Sequence, residues 1–246
     1  MEELRYMQSK WLYGFALVAQ LVEELGLSPD KHVLYLGCGF GKMLEYLVQR
    51  FGCKITATDI SRIAVTKTQT RILKGPWKSR ISVRDFEDDN LISENETFDF
   101  TLIETLIPFV RGRERAVESY AKALKRGGKM GILELVWVRK PPEQLRERIG
   151  VKFGLEVDIP NDQELRTLFG KAGLRLYSGR IYHLSMLQKV LDDFRYNAYE
   201  SLLDLLETLN TIFRDPVTRQ IALDFLRFYR EYPKFLGIVK YIYLKP

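Results

Sequence analysis

The stretch Val33-Leu34-Tyr35-Leu36-Gly37-Cys38-Gly39-Phe40-Gly41 constrains this chain more than any other. A short apolar run suited to a buried strand breaks into glycines at alternate positions. Behind them, Lys42-Met43-Leu44-Glu45-Tyr46-Leu47-Val48 carries apolar residues at helical spacing. Strand, tight glycine turn and helix N-terminus together make a nucleotide-cradling unit, because glycine lets the backbone turn sharply and a ligand approach where a Cβ would clash. The residues downstream of the turn select among the ligands that suit it.

The chain has 246 residues, enough for one large α/β domain with an insertion. A composition of 46% hydrophobic and 28% charged residues is that of a globular protein, not a disordered or fibrous one. The net charge of +6 permits nucleic acid, an acidic small molecule or a membrane surface as partner, but demands none of them. Cys38 and Cys53 are the only cysteines, there is no CxxC, and the histidines number two, which argues against a metal site or a disulfide scaffold. A reducing cytoplasmic compartment fits that usage. Trp11 to Val22 is apolar but too short to span a bilayer, and the acidic start Met1-Glu2-Glu3 is a poor signal-peptide n-region, so no transmembrane segment is expected.

Taken in order, the pattern predicts a helix from about Tyr6 to Leu25 ended by Gly26, and a first strand at Val33. A helix from Lys42 to Arg50 precedes a second strand, Lys54 to Thr58, which terminates in Asp59. Ser61 caps a helix running to about Leu73, and Arg80 to Arg84 is a third strand. Phe98 to Thr105, nearly all apolar, reads as a central fourth strand. Arg113 to Lys125 is a helix closed by Gly127-Gly128, and Met130 to Val138 a fifth strand. Asp162 caps a helix from Gln163 to Ala172, and Leu174 to Leu184 is a sixth strand. Helical spacing from Met186 to about Phe213, and again after Asp215-Pro216, predicts an insertion (186–232) before a last strand at Leu236 to Leu244. Such a long connection suits a lid or a substrate pocket. The fold class is therefore α/β, a Rossmann-like seven-stranded, mostly parallel sheet with helices on both faces and a helical insertion before the last strand. Residues 1–246 read as a single domain with residues 1–30 as an N-terminal helical cap.

Three features narrow the ligand. The dinucleotide pattern GxGxxG needs glycine where Lys42 stands. A phosphate-binding P-loop needs Ser or Thr where Met43 stands and Gly where Leu36 stands. Asp59, at the end of the second strand, can accept both hydroxyls of a ribose. The combination suits an adenosine ligand without a pyrophosphate.

On these residues the chain resembles the class I S-adenosylmethionine-dependent methyltransferases, specifically the ubiquinone/menaquinone-biosynthesis-like small-molecule branch. The matching segments are Val33 to Gly41, Thr58-Asp59-Ile60-Ser61, Arg84-Asp85-Phe86, Thr97-Phe98-Asp99-Phe100, Tyr120 to Gly128 and the closing Phe235 to Pro246. The resemblance implies S-adenosyl-L-methionine as cofactor. Gly37, Cys38, Gly39 and Gly41 would lie against its methionine and ribose, with Asp59 on the ribose hydroxyls. Ile60, Asp85 and Phe86 would surround the adenine. Glu104 and Thr105 would line the methyl-transfer site. Tyr35 stands where the family usually has an acid that orients the methionine end, so Glu104 is the candidate substitute. The acceptor implied is a small molecule.

Methyl transfer from a sulfonium is an in-line displacement that needs alignment and desolvation more than covalent help. Candidate proton acceptors are Glu104, Tyr13, Tyr182 and His183, and none of them stands out as a catalytic base. The aromatics Phe194, Tyr196, Tyr199, Phe213, Phe225, Phe228 and Tyr229 of the insertion read first as core at helical spacing. Two further readings are an RNA or protein methyltransferase, suggested by the basic charge, and a non-catalytic S-adenosylmethionine-binding protein, suggested by Tyr35. Against nucleic acid, the fourth strand ends Ile103-Glu104-Thr105-Leu106, without the Asn/Asp-Pro-Pro-Tyr/Phe signature used on base amines.

Overall fold

Strands alternating with helices leave few options besides a sheet covered on both faces, and that is the architecture found. The computed structural model describes residues 14–86, 95–153, 157–185 and 230–246, with positions 191–193, 195, 214 and 223. Helix α1 (Gly14–Leu25) leads into β1 (His32–Leu36), α2 (Lys42–Phe51), β2 (Lys54–Thr58), α3 (Arg62–Lys74) and β3 (Ile81–Val83). β4 (Phe98–Glu104) is followed by a 3₁₀ turn (Ile107–Phe109), α4 (Arg113–Ala123) and β5 (Leu124–Trp137). Then come α5 (Glu143–Phe153), α6 (Asp162–Lys171), β6 (Arg175–His183) and β7 (Leu236–Leu244). Of the expected helical cap, residues 1–13 lie outside the described residues, as do most of the 186–232 insertion and all seven of its aromatics.

The seven strands run in the order β3-β2-β1-β4-β5-β7-β6. The first five pair in parallel, and β7 lies antiparallel between β5 and β6. The chain reverses direction across the sheet between β1 and β4, and the crevice at such a switch point is where open α/β sheets bind ligands. Both faces are buried, so successive residues of β1 serve different cores. Tyr35 packs with Leu21 and Leu25 of α1 and Leu44 and Leu47 of α2, whereas Leu34 and Leu36 pack with Val117 of α4 and Phe169 of α6. Lys240 of β7, nearly buried, reaches Glu24 of α1 at 2.5 Å and ties the antiparallel strand to the first helix.

Local signals placed several boundaries well. Gly26 takes φ +79° just past α1, Gly52 caps α2 from φ +66°, and the Ser61 hydroxyl accepts the Ala64 amide at the start of α3. Two expectations need correction. The cap of α6 is Asn161, not Asp162: its Oδ1 accepts the Glu164 amide at 2.9 Å while the Glu164 carboxylate accepts the Asn161 amide at 2.9 Å. The reciprocal pair satisfies two helix-end donors, which Asp162 one residue later does not do. Gly127-Gly128 does not close α4, which ends at Ala123, because Leu124 already pairs with Phe98 of β4. The glycines form an irregularity within β5, where a Cβ on Gly128 would meet Asp99 O at 2.9 Å. Helix α5 and the 3₁₀ turn lack a sharp signal in the sequence and were not expected.

Because the Asn161–Glu164 pair is the only cap of α6 that uses a side chain, Asn161→Ala should lower stability by about 1 kcal/mol. Urea unfolding would show a lower midpoint at constant m-value; an unchanged midpoint would mean the cap contributes nothing.

Candidate functional site

Backbone geometry at the end of β1 admits only glycine. Gly37, Gly39 and Gly41 all take positive φ (85°, 59° and 81°), a region costly for residues with a Cβ. A Cβ on Gly37 would lie 2.2 Å from the Glu104 carbonyl oxygen, and one on Gly41 would lie 2.7 Å from Thr68 Cγ2. The ends of β1 and β4 are therefore in direct backbone contact. The loop is pinned from β2 and α3 as well. Gly37 and Cys38 donate their amides to Thr58 O at 2.9 and 3.1 Å, and the Thr68 hydroxyl donates to Gly39 O at 2.6 Å.

Asp59 holds the other side of the turn. It is only 2% exposed, with Oδ2 accepting the Gly39 amide at 2.9 Å and Oδ1 the Ser61 amide at 3.0 Å. These two bonds fix the carboxylate against the loop. Ile60 and Phe86 are half-buried and pack on the same core face, while Asp85 is exposed beside them. The neighbouring acids Glu87, Asp88 and Asp89 lie outside the described residues. Cys38 is buried with its thiol toward Gly39 O.

At the end of β4 the Tyr35 hydroxyl donates to Glu104 Oε2. Tyr35 is fully buried, so its ring belongs to the core and only its hydroxyl reaches the site, through Glu104. Glu104 is 9% exposed, and its second oxygen has no protein partner among the described residues. Glu104 is the acidic residue at the carboxyl end of β4, where β4 adjoins β1.

The chain then kinks. Thr105 takes φ +46°, an uncommon conformation for a β-branched residue and one that clusters at functional sites. The kink is held from β5 by a residue that motif reading passed over. Glu134, with no exposed surface, accepts the amides of Leu106 and Ile107 on Oε1 at 2.6 and 2.9 Å. Its Oε2 is buried without a partner, as is the Tyr120 hydroxyl of α4. Burial pushes the Glu134 carboxyl up to about 8, against the pull of the Ile107, Leu106 and Leu135 amides and the Arg113 charge. An acid inside the apolar run Ile132-Leu133-Glu134-Leu135-Val136 was the available signal.

The expected proton acceptors do not converge. His183, exposed, sits at the end of β6, with β7 and β5 between it and β4. Tyr182 lies beneath the Arg180 and Lys240 cations on that same side of the sheet, and Tyr13 lies outside the described residues. Beyond the 3₁₀ turn, Pro108, Val110, Arg111, Arg115 and Asp158 help line an open cleft of about 830 Å³. Arg113 and Arg146 both pair with Asp158 at its edge, at 3.0 and 3.3 Å. Among the described residues no cluster of His, Cys, Asp or Glu could hold a metal ion, and no helix is long and apolar enough to cross a membrane.

Residues 33–128, from β1 into β5, match the methyltransferase-domain family model. A protein of Haemophilus influenzae without an assigned function is 26% identical to the chain over 179 residues, covering 70% of this chain and 71% of that one. The sarcosine/dimethylglycine N-methyltransferase of Halorhodospira halochloris is 26% identical over 154 residues, 61% of this chain and 54% of the relative. The chain therefore spans only about half of that enzyme. Among solved structures, phosphoethanolamine N-methyltransferase 2 of Haemonchus contortus, in complex with S-adenosyl-L-methionine, superposes with a TM-score of 0.72 at 14% identity. That match covers 93% of this chain and 52% of the neighbour, and it shows a shared fold.

The Glu134 shift has a definite sign. A carboxyl raised from its ordinary 4.5 to about 8 binds more protons folded than unfolded in that interval. Its contribution is fully present below about 4.5 and is lost as pH rises through about 8. Wild type should lose stability relative to Glu134→Gln by up to ~1.4 kcal/mol per pH unit within that window. Thermal unfolding of both proteins across the window tests this. A difference that does not change with pH would rule out the raised carboxyl.

Proposed function

We propose that this chain transfers a methyl group from S-adenosyl-L-methionine to a small-molecule acceptor by in-line displacement. The observation that carries the reading is the crevice at the strand-order reversal, where a glycine turn without room for any Cβ faces two buried acids, Asp59 and Glu104. The residues fit the cofactor. Asp59, pre-positioned by two amides, would accept the ribose hydroxyls, and Gly37 to Gly41 would let the ligand lie against backbone. Ile60 and Phe86 offer apolar surface for the adenine, with Asp85 near enough in sequence to take its amino group. The free oxygen of Glu104, steadied by Tyr35, would receive the ammonium of the methionine end in place of the acid that the family carries on β1. When bound, the cofactor supplies an activated methyl on a sulfonium. The protein's part is then alignment and exclusion of water, and no general base is assigned.

The small-molecule acceptor is supported by the kinship with an N-methyltransferase of sarcosine and dimethylglycine and by the ubiquinone/menaquinone-like motifs. The cleft beyond the 3₁₀ turn, continuous in sequence with the kink at Thr105, is the proposed side of acceptor entry. Placement of the 186–232 insertion as a cover is supported by Asp193, whose carboxylate accepts the Ala16 amide of α1 at 2.9 Å. A cytoplasmic site of action accords with Cys38 and Cys53 being buried free thiols. The second reading, a non-catalytic binding protein, draws on Tyr35, since its hydroxyl occupies one of the two Glu104 oxygens.

Isothermal titration with S-adenosylhomocysteine tests the cofactor site. Wild type should bind it saturably, and Asp59→Ala should bind at least about tenfold more weakly, the equivalent of ~1.4 kcal/mol. Absence of saturable binding by the folded wild type would sink the proposal. Transfer of labelled methyl into a small-molecule extract separates the enzyme from the non-catalytic reading, which predicts binding without transfer.

A further inference from the structure

Three consecutive amides just after β4 are held by two consecutive residues of β5. The Thr105 amide donates to Leu133 O at 2.9 Å, and the Leu106 and Ile107 amides donate to Glu134 Oε1 at 2.6 and 2.9 Å. The clamp closes around the one residue of this segment with a positive φ, Thr105. Immediately before it stands Glu104, whose carbonyl already abuts the Gly37 turn with no space for a Cβ. The backbone carrying the Glu104 carboxylate is thus fixed from both sides, by the glycine turn on β1 and by Glu134 on β5. A neutral amide side chain could also accept from two donors, at a smaller desolvation penalty than a carboxylate in a fully buried position.

We propose that Glu134 is a positioning residue for the amino-acid end of the cofactor: through the Leu106 and Ile107 amides it sets where Glu104 presents its free oxygen. Glu134 itself does not reach the crevice. The inference rests on the cofactor reading above, and it assigns to a buried strand residue a role in selecting ligands that carry the amino-acid moiety over those that end at the thioether. A merely structural Glu134 would affect all ligands of the turn alike.

The test compares two probes, S-adenosylhomocysteine and 5′-methylthioadenosine, which share the adenosine and differ in the amino-acid end. Affinities are read by isothermal titration on variants first shown by thermal unfolding to be folded at the titration temperature. Wild type should prefer S-adenosylhomocysteine. Glu134→Met should weaken it by about tenfold, the loss of one charge-assisted contact, and leave 5′-methylthioadenosine within about twofold. Glu104→Gln should narrow the preference in the same way, and Glu134→Gln, which keeps an acceptor oxygen, should restore most of it. If Glu134→Met does not fold, Glu134→Asp, which withdraws the carboxylate by one methylene, should show the same narrowing. Equal loss for both probes, or no change for either, overturns the inference while the cofactor reading stands. Equal binding of the two probes by wild type overturns it as well. No binding of S-adenosylhomocysteine by wild type overturns both.

Discussion

The structure depends on one close approach, between the carboxyl ends of β1 and β4. Gly37 and the Glu104 carbonyl lie so near that no other residue fits at position 37. The same two strands are joined one layer deeper by the bond from the Tyr35 hydroxyl to Glu104. Parallel pairing along β1 and β4 brings the two ends together, and the reversal of strand order at this seam opens the crevice above them. Everything else in the candidate site is arranged around that contact. Asp59 and Thr68 hold the turn from β2 and α3, and Glu134 holds the far side from β5.

Two buried carboxylates are kept near this seam for different reasons. Asp59 has both oxygens engaged by amides, which compensates its removal from water. Glu134 has only one oxygen engaged, and its ionisation is correspondingly suppressed. A group of that kind is expensive in a core that is otherwise apolar, and it persists only where its bonds do something that an apolar residue of similar volume could not. Here they hold a kink that β-branched Thr105 would not adopt unaided. Local strain at Thr105 and the cost of burying the Glu134 carboxyl thus meet at the carboxyl end of β4.

How much of this was legible in the sequence varied with the range of the forces involved. Strands β1 to β5, the Gly26 and Gly52 helix ends and the Ser61 cap follow from local apolar spacing and backbone preference, and they were readable. The role of Gly127-Gly128 was not, because Leu124 gives up the helix in order to pair with Phe98, some two dozen positions away in the chain. Asn161 and Asp162 look alike in the sequence because both residue types cap helices, and only the reciprocal bond with Glu164 separates them. Glu134 carried a signal, a lone acid in an apolar run, but nothing in the sequence says which amides it would meet.

The sequence by itself determined the local unit at the candidate site: a strand, glycines at alternate positions, a helix, and an acid at the end of the next strand. Those are local requirements, since positive φ selects glycine and the turn's amides call for an acceptor such as Asp59 beside them. It also determined the alternation of strands and helices, from which a sheet with two buried faces follows. Only the tertiary structure decided that Tyr35 is a core residue acting through Glu104, that His183 stands two strands too far away, and that Glu134 reaches back to Leu106 and Ile107. Each of these depends on which strands become neighbours, and strand order is set by packing across the whole sheet, not by the residues on either side of a position.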